Sequence, residues 1–202
     1  MISALAGARH AGHAVLFALT GLGDAALLLP LAALILLWLV LSGAPRVATW
    51  WTAVVVLCSG VTAGLKILFW GCPPIAHLHS PSGHTSLSTL VYGAMALFVA
   101  DEIGGWRGGA AAIGGAALVV VIALSRLLLD VHSIPEILLG GIIGTTSLAA
   151  FGYVYRRSPP PGARLAPLLV AAVVLATLLH GSELHAEALL HRITRYLGIA
   201  CG

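Results

Sequence analysis

Long apolar runs recur along this chain, and each ends at charged residues, proline or glycine. Six runs predict membrane-spanning helices, at about residues 25–41, 49–70, 84–100, 109–129, 134–155 and 165–179. A helix needs about 20 apolar residues to cross a hydrocarbon core of about 30 Å. The pattern therefore predicts an all-α fold, an integral membrane bundle of about six transmembrane helices. Asp24 is a candidate N-cap for the first helix.

The two ends of the chain mix apolar and basic positions, which is typical of helices that lie in the membrane interface. We divide the sequence into an N-terminal interfacial helix (1–20), a six-span membrane domain (21–180) and a C-terminal amphipathic tail (181–202). In the fifth span, Gly140 and Gly144 have the spacing of small residues that lets helices pack closely in lipid.

The composition agrees with a membrane protein and not with a soluble domain. Of the 202 residues, 59% are hydrophobic and only 8% are charged, with a mean hydropathy of +1.03. A soluble domain carries roughly a quarter charged residues, so this chain has too few charges to cover a surface that faces water. The net charge of +3 comes from scattered residues. Because no basic run with interleaved aromatic residues exists, we expect no binding to nucleic acid.

The three cysteines are widely spaced along the chain, at Cys58, Cys72 and Cys201. This spacing predicts neither a disulfide framework nor a zinc site. Cys58 lies inside an apolar run and is interpreted as a small core residue.

The arginines in the loops predict the orientation of the bundle, because positive charge favours cytoplasmic loops. One face carries Arg46, Arg107, Arg156, Arg157 and Arg164. The opposite face carries both termini, with Arg9, Arg192 and Arg195. Five arginines against three place the first face in the cytoplasm. We therefore expect a multi-pass protein of the cell (inner) membrane, with its second face on the outer or periplasmic side.

Polar residues collect at the ends of the spans on that outer face. Ionisable residues within or beside membrane spans are costly, so each is a candidate functional residue. They are Lys66, Ser82, His84, Arg126, His132 and Glu136. Successive spans alternate in direction, which predicts that all of these residues meet at the same end of the bundle.

The chemistry that this cluster suits is phosphoryl transfer. Lys66 and Arg126 supply fixed positive charge for phosphate oxygens. The segment Pro81-Ser82-Gly83-His84 leads into a helix, whose free backbone N–H groups form an anion site. Of two histidines, one can attack phosphorus while the other protonates the leaving oxygen. Glu136 lies four residues after His132, on the same helical face, where it can hold and polarise the ring.

The spacing of these residues resembles that of a known family. Pro81-Ser82-Gly83-His84 is followed about forty residues later by Ser125-Arg126-x5-His132-x3-Glu136. The two motifs resemble those of the type 2 phosphatidic acid phosphatase superfamily, a group that includes membrane lipid phosphate phosphatases. The resemblance covers about residues 60–145, and the six-span layout extends it over most of the chain.

The resemblance implies a role for each residue of the cluster. It implies that His132 is the nucleophile, that His84 is the general acid, and that Glu136 acts with His132. It implies further that the phosphate is bound by Lys66, Ser82, Gly83 and Arg126. The family needs no metal and no cofactor, so none is expected here.

Two positions depart from the family pattern. The family has an Arg seven residues after the Lys that matches Lys66, and here that position holds Pro73. One phosphate-binding cation is therefore missing, which puts the rate and the substrate range in question. The family's final Asp is Glu136 here, which is one methylene longer and accepts the same hydrogen bond.

Three functions fit the sequence to different degrees. The leading hypothesis is a metal-independent membrane phosphatase that removes phosphate from a lipid phosphate or diphosphate through a phosphohistidine intermediate. A lipid phosphotransferase of the same superfamily is the second, although the retained Ser125-Arg126 pair favours hydrolysis. A non-catalytic membrane protein that binds lipid phosphate is the third, and the retained histidines argue against it.

Three further polar residues near the cluster are open to more than one interpretation. His77 and His79 are interpreted as loop residues, with partial replacement of the missing Arg or a weak metal pair as alternatives. Asp130 is expected either to pair with Arg126 or to cap the turn.

Overall fold

The computed structural model describes residues 15–72, 74, 78–182, 184 and 186–198. Within this part of the chain residues 15–21 are helical, seven further helices follow, and there is no strand, so the predicted all-α fold is confirmed. The helices are α1 (Ala25–Leu41), α2 (Pro45–Gly71), α3 (Gly83–Ile103), α4 (Gly105–Leu128), α5 (Ile134–Arg157), α6 (Ala166–Leu178) and α7 (Ala186–Leu197). Most of the predicted N-terminal helix (1–20) lies outside the described residues, as do Pro73 and His77.

Among the described residues, five segments are long and apolar enough to cross a membrane. They are Val15–Leu41, which includes α1, and the helices α2, α3, α4 and α5. The helix α1 begins as predicted, because the Asp24 side chain accepts a hydrogen bond from the backbone N–H of Ala26 at 2.8 Å.

The sixth predicted span matches α6 within one residue at each end, but this helix is shorter than the other spans. Helix α6 has 13 residues, or roughly 20 Å at about 1.5 Å per residue. Even so, the chain around it runs the full length of α1. The backbone N–H of Gly162 donates to the Ser42 carbonyl at one end of α1, and that of Leu184 donates to the Asp24 carboxylate at the other. The structure is that of a multi-pass membrane protein of about six spans.

The largest side chains pack at the end of the bundle that lies away from the polar cluster. The rings of Trp38 and Phe98 have centroids 5.2 Å apart, and those of Trp51 and Phe151 are 4.9 Å apart. The indole N–H of Trp51 donates to the backbone carbonyl of Ala32 at 2.8 Å, so its polar atom is satisfied inside the core. This packing holds the helices together and leaves their opposite ends to carry polar side chains.

Two glycines of α5 allow it to approach α3 closely, as the sequence predicted. A Cβ atom at Gly140 would lie 2.5 Å from the Ser82 carbonyl oxygen, and one at Gly144 would lie 2.5 Å from that of Ser86. Neither distance is compatible with a real side chain. The start of α3 is therefore pressed against the first turns of α5.

We expect Gly140→Ala to destabilise the protein by about 1–3 kcal/mol, the usual cost of overpacking. Turnover should fall as well, because the added methyl group pushes the first turn of α3 away from α5. Gly141→Ala is the matched control, since its Cβ would lie 3.9 Å from the Thr85 methyl group, an ordinary contact. Thermal unfolding in detergent compares the two variants. Equal melting temperatures would show that the tight contact is not needed.

One prediction about the cysteines is wrong. Cys58 is free and buried, and its thiol donates to the Ser86 carbonyl at 3.8 Å, so it is a core residue as expected. Cys72, at the C-cap of α2, is instead disulfide-bonded. Wide spacing along the sequence did not exclude this bond, because a disulfide depends on proximity in space, which the helices set.

Candidate active site

The predicted polar residues meet at one end of the bundle. Lys66 lies near the end of α2, Ser82 to His84 open α3, and Arg126 is in the last turn of α4. His132 precedes α5, and Glu136 is in its first turn. The backbone N–H of Ser82 donates to the Glu136 carbonyl at 3.0 Å, which joins the two motifs directly.

His132 and Glu136 form a buried pair. The Nδ1 atom of His132 lies 2.9 Å from Oε2 of Glu136, and the two side chains are only 3% and 7% exposed. The start of α5 sets this geometry, because Ser133 is the N-cap and Glu136 is the third helical residue of a capping box. The carboxylate therefore lies one helical turn from the ring it contacts.

The Glu136 carboxylate accepts more hydrogen bonds than the sequence suggested. Its Oε1 accepts from the backbone N–H groups of His79 at 2.8 Å and Ser80 at 2.9 Å. Its Oε2 accepts from the backbone N–H of Ser133 at 3.0 Å, in addition to the ring of His132. Since a carboxylate offers only acceptors, all four partners are donors. Glu136 thus fixes the loop before α3 as well as the ring.

This arrangement selects one tautomer of His132. Nδ1 carries the proton that it donates to Glu136, which leaves the lone pair on Nε2. Nε2 is buried and has no hydrogen-bond partner among the described residues. Burial lowers the pKa of His132, although the hydrogen bond to Glu136 opposes this effect. The ring is consequently neutral at neutral pH, and His132 lines a cavity of about 360 Å³.

His84 has a carboxylate partner that the sequence did not reveal. Its Nε2 lies 3.7 Å from Oδ2 of Asp24, the residue that caps α1. A carboxylate in this position attracts the ring when the ring carries a proton. The Asp24 carboxylate therefore contacts the backbone N–H groups of Ala26 and Leu184 as well as the ring of His84, and only the cap was predicted.

The remaining residues of the cluster all have protein partners. Arg126 donates from Nη1 to the Thr20 hydroxyl at 3.0 Å. The buried Lys66 pairs with Glu187 of α7. The Ser82 hydroxyl is fully buried and accepts from the backbone N–H and the hydroxyl of Thr85, so it caps α3. The phosphate contacts implied for Ser82 and Gly83 stay predictions.

At this end of the bundle, the described residues form a cavity beside each of the two histidines. His132 and Glu136 line the first, and His84 and Arg126 line the second, which has a volume of about 580 Å³. The second cavity also has an apolar part, made by Phe17, Leu129 and Leu184. Among the described residues, Val131 and Glu187 are the two that line both cavities, so they lie between them.

Comparison with known proteins places these motifs in a family. Residues 68–160 match the sequence model of the PAP2 superfamily. The match includes both motifs and covers slightly less than half of the chain. The resemblance predicted from the two motifs is therefore confirmed, and similarity to the PAP2 superfamily supports a phosphatase-type activity.

A separate comparison found a protein that is similar to most of this chain. An "Uncharacterized 22.5 kDa protein in cps region" of Klebsiella pneumoniae is 29% identical over 185 residues, which cover 87% of this chain and 88% of its own. No solved structure matches this chain.

The PAP2 region contains both histidines, but important partners lie outside it. Lys66 precedes the region, and Thr20, Asp24 and Glu187 lie far from it in sequence. Glu187 had one weak signal, as an acidic residue four positions before His191 in a largely basic tail. Of the two histidines before α3, His77 lies outside the described residues, and the side chain of His79 is exposed. Asp130 has a φ of 54° in the turn and lines the His132 cavity.

Proposed function

We propose that this protein is a metal-independent membrane phosphatase that hydrolyses a lipid phosphate or diphosphate through a phosphohistidine on His132. The observation that carries the proposal is the His132–Glu136 pair, in which the ring is held by Nδ1 while Nε2 has no partner among the described residues. The positive charges of Lys66 and Arg126 act on the same ring. Such an arrangement suits attack on an anionic phosphorus centre.

The proposed reaction has two steps. In the first, the Nε2 lone pair of His132 attacks phosphorus, the bond from phosphorus to the lipid oxygen breaks, and His84 gives that oxygen a proton. Glu136 stabilises the positive charge that develops on the His132 ring. In the second step, His84 takes a proton from water as the water oxygen attacks phosphorus. The bond from Nε2 to phosphorus then breaks and inorganic phosphate leaves.

The second cavity supports a lipid as the leaving group. The leaving oxygen has to lie on the side of the general acid, and His84 opens into the cavity that has the apolar part. Phe17 lies in the segment before α1, and Leu184 lies between α6 and α7. Both residues are at the end of the bundle where the chemistry is proposed. An alcohol with a long hydrocarbon chain fits these surroundings better than a sugar or a nucleoside.

Two observations support an active site on the outer or periplasmic face of the inner membrane. Fewer arginines lie on the side of the polar cluster, as cytoplasmic loops attract positive charge. Cys72 lies six residues after Lys66, at the same end of α2, and is disulfide-bonded. Disulfides persist in oxidising compartments and are rare in the cytosol.

The test of the proposed function is phosphate release by the purified protein from a panel of lipid phosphates and diphosphates. Release of inorganic phosphate from at least one of them is the expected result. Adding a second alcohol separates hydrolysis from transfer, because a transferase would move the phosphoryl group to that alcohol. Binding without release would favour the non-catalytic alternative.

We expect turnover to survive excess EDTA and to be inhibited by vanadate. The cations proposed to bind phosphate are side chains, and vanadate adopts the five-coordinate geometry that attack by His132 would produce. Among the described residues no group of three or more histidine, cysteine or acidic side chains is arranged as a metal site. Initial rates with and without each reagent provide the measurement. Loss of activity on chelation, restored by a divalent ion, would instead support His77 and His79 as ligands.

A further inference from the structure

The C-terminal helix places a carboxylate on the buried lysine of the proposed phosphate site. Glu187, in the first turn of α7, forms an ion pair with Lys66. The lysine side chain is only 5% exposed, whereas that of Glu187 is 55% exposed. A second contact holds α7 in place, since the ring of His191 stacks on Trp70 with centroids 3.6 Å apart.

The position of Glu187 matches the position that a substrate phosphate would need. Glu187 lines both the cavity of His132 and the cavity of His84. In the proposed reaction, phosphorus is attacked from the first side and its leaving oxygen departs on the second. A phosphate would therefore lie between the two cavities, beside Lys66, where the carboxylate is now.

The Glu187 side chain is also negatively charged, as a phosphate group is. Burial by itself would raise the pKa of Glu187, but Lys66, His132 and Arg126 lower it, and the net result is a lowered pKa. The side chain is thus an anion at neutral pH. It interacts with the same two cations that are proposed to bind the substrate.

The two residues of the ion pair differ in burial, and this difference determines that Glu187, and not Lys66, can move out of the pair. A buried ammonium group without a counter-ion is unstable, so Lys66 needs an anion at all times. Glu187 is more than half exposed, so it can turn towards water at little cost. Replacement of the Glu187 carboxylate by a phosphate keeps Lys66 neutralised throughout.

We propose that Glu187 occupies the phosphate position on Lys66 and weakens the binding of every phosphate ligand, so that soluble phosphates without a hydrocarbon chain bind too weakly to occupy the site. This inference rests on the proposed function. A phosphate attached to a lipid gains additional binding free energy from its hydrocarbon chain, at about 25 cal/mol per Å² of apolar surface buried. Inorganic phosphate gains none and has to compete with Glu187 by charge alone. Free product should accordingly bind weakly.

Binding measurements test this without turnover. All variants carry His132→Ala, and the probes are inorganic phosphate and a short-chain phosphatidic acid, titrated against the full chain in detergent. Glu187→Gln should tighten phosphate binding by about three- to tenfold, the range expected when a partly exposed charged competitor is removed. Binding of the short-chain phosphatidic acid should tighten by a similar factor, because both ligands displace the same carboxylate, and it should stay the tighter of the two ligands in every variant. Glu187→Ala should change both affinities in the same direction.

The control is Glu102→Gln, the same substitution at the far end of α3, where the side chain is exposed. It should leave both affinities unchanged. Phosphate affinity that is unchanged in both Glu187 variants would overturn the proposal, and so would a gain for inorganic phosphate with none for the lipid phosphate, since the two ligands would then not share the position of Glu187. Failure of the wild-type protein to hydrolyse any lipid phosphate would contradict the proposed function instead, because the binding experiment does not depend on turnover.

Discussion

His132→Ala should reduce turnover by at least about a thousandfold while the protein still inserts and purifies. Removing a nucleophile costs several orders of magnitude in characterised enzymes. In this chain the loss would be specific, because His132 is the described histidine whose ring is held by Glu136. The measurement is phosphate release from the best lipid substrate, with folding checked by thermal melting.

His79→Ala is the matched control for this variant. His79 lines the same cavity, but its bond to Glu136 uses the backbone N–H, which alanine retains. Most activity should therefore remain. If His132→Ala kept more than about a tenth of wild-type turnover, His132 would not be the nucleophile.

Glu136→Gln should have the second largest effect, a loss of up to roughly ten-thousandfold by analogy with catalytic triads. The carboxylate accepts from the ring of His132 and from three backbone N–H groups. Glutamine replaces one of the two acceptor oxygens by an NH₂ group. On that side of the amide, the NH₂ group would face an N–H group that has no acceptor. If the NH₂ group faced His132, the ring would adopt the tautomer that places its proton on Nε2, and the lone pair needed for attack would be lost.

Glu136→Asp is expected to retain much more activity than Glu136→Gln. Aspartate keeps the charge and the four acceptor positions. A small backbone shift at the start of α5 can partly compensate for its shorter side chain. The two variants are compared on one substrate at the same pH, with melting temperatures as the folding control. Wild-type turnover in Glu136→Gln would make Glu136 a capping residue, and Asp130 would be the next carboxylate to test.

The helices of the bundle were predictable because the bilayer sets the length of an apolar run. The runs that ended near Leu41, Trp70 and Leu129 became α1, α2 and α4 within a few residues. The convergence of the site followed from the same pattern, since alternating spans bring every second end together. The motif spacing then identified His132 and Glu136 as a pair, and their 2.9 Å contact confirms it.

The contacts that were missed join parts of the chain that are far apart in sequence. Lys66 and Glu187 are separated by 121 positions, and no local pattern predicts such a pair. The sequence predicts Asp24 as a cap because its own helix explains that role, while its proximity to His84 depends on how α1 packs against α3. The disulfide at Cys72 was missed for the same reason. The hydrophobic periodicity predicts each helix separately and does not indicate which helices are in contact.

The turn between α3 and α4 has a practical consequence for topology mapping. Gly104 and Gly105 both have positive φ, at 67° and 55°, and the neighbouring Trp106 is 80% exposed. No side chain of the proposed site lies on this turn, which connects the far ends of two helices whose opposite ends carry His84 and Arg126. An epitope or cysteine label inserted between the two glycines would therefore report which side of the membrane this face occupies, in an enzyme that still turns over.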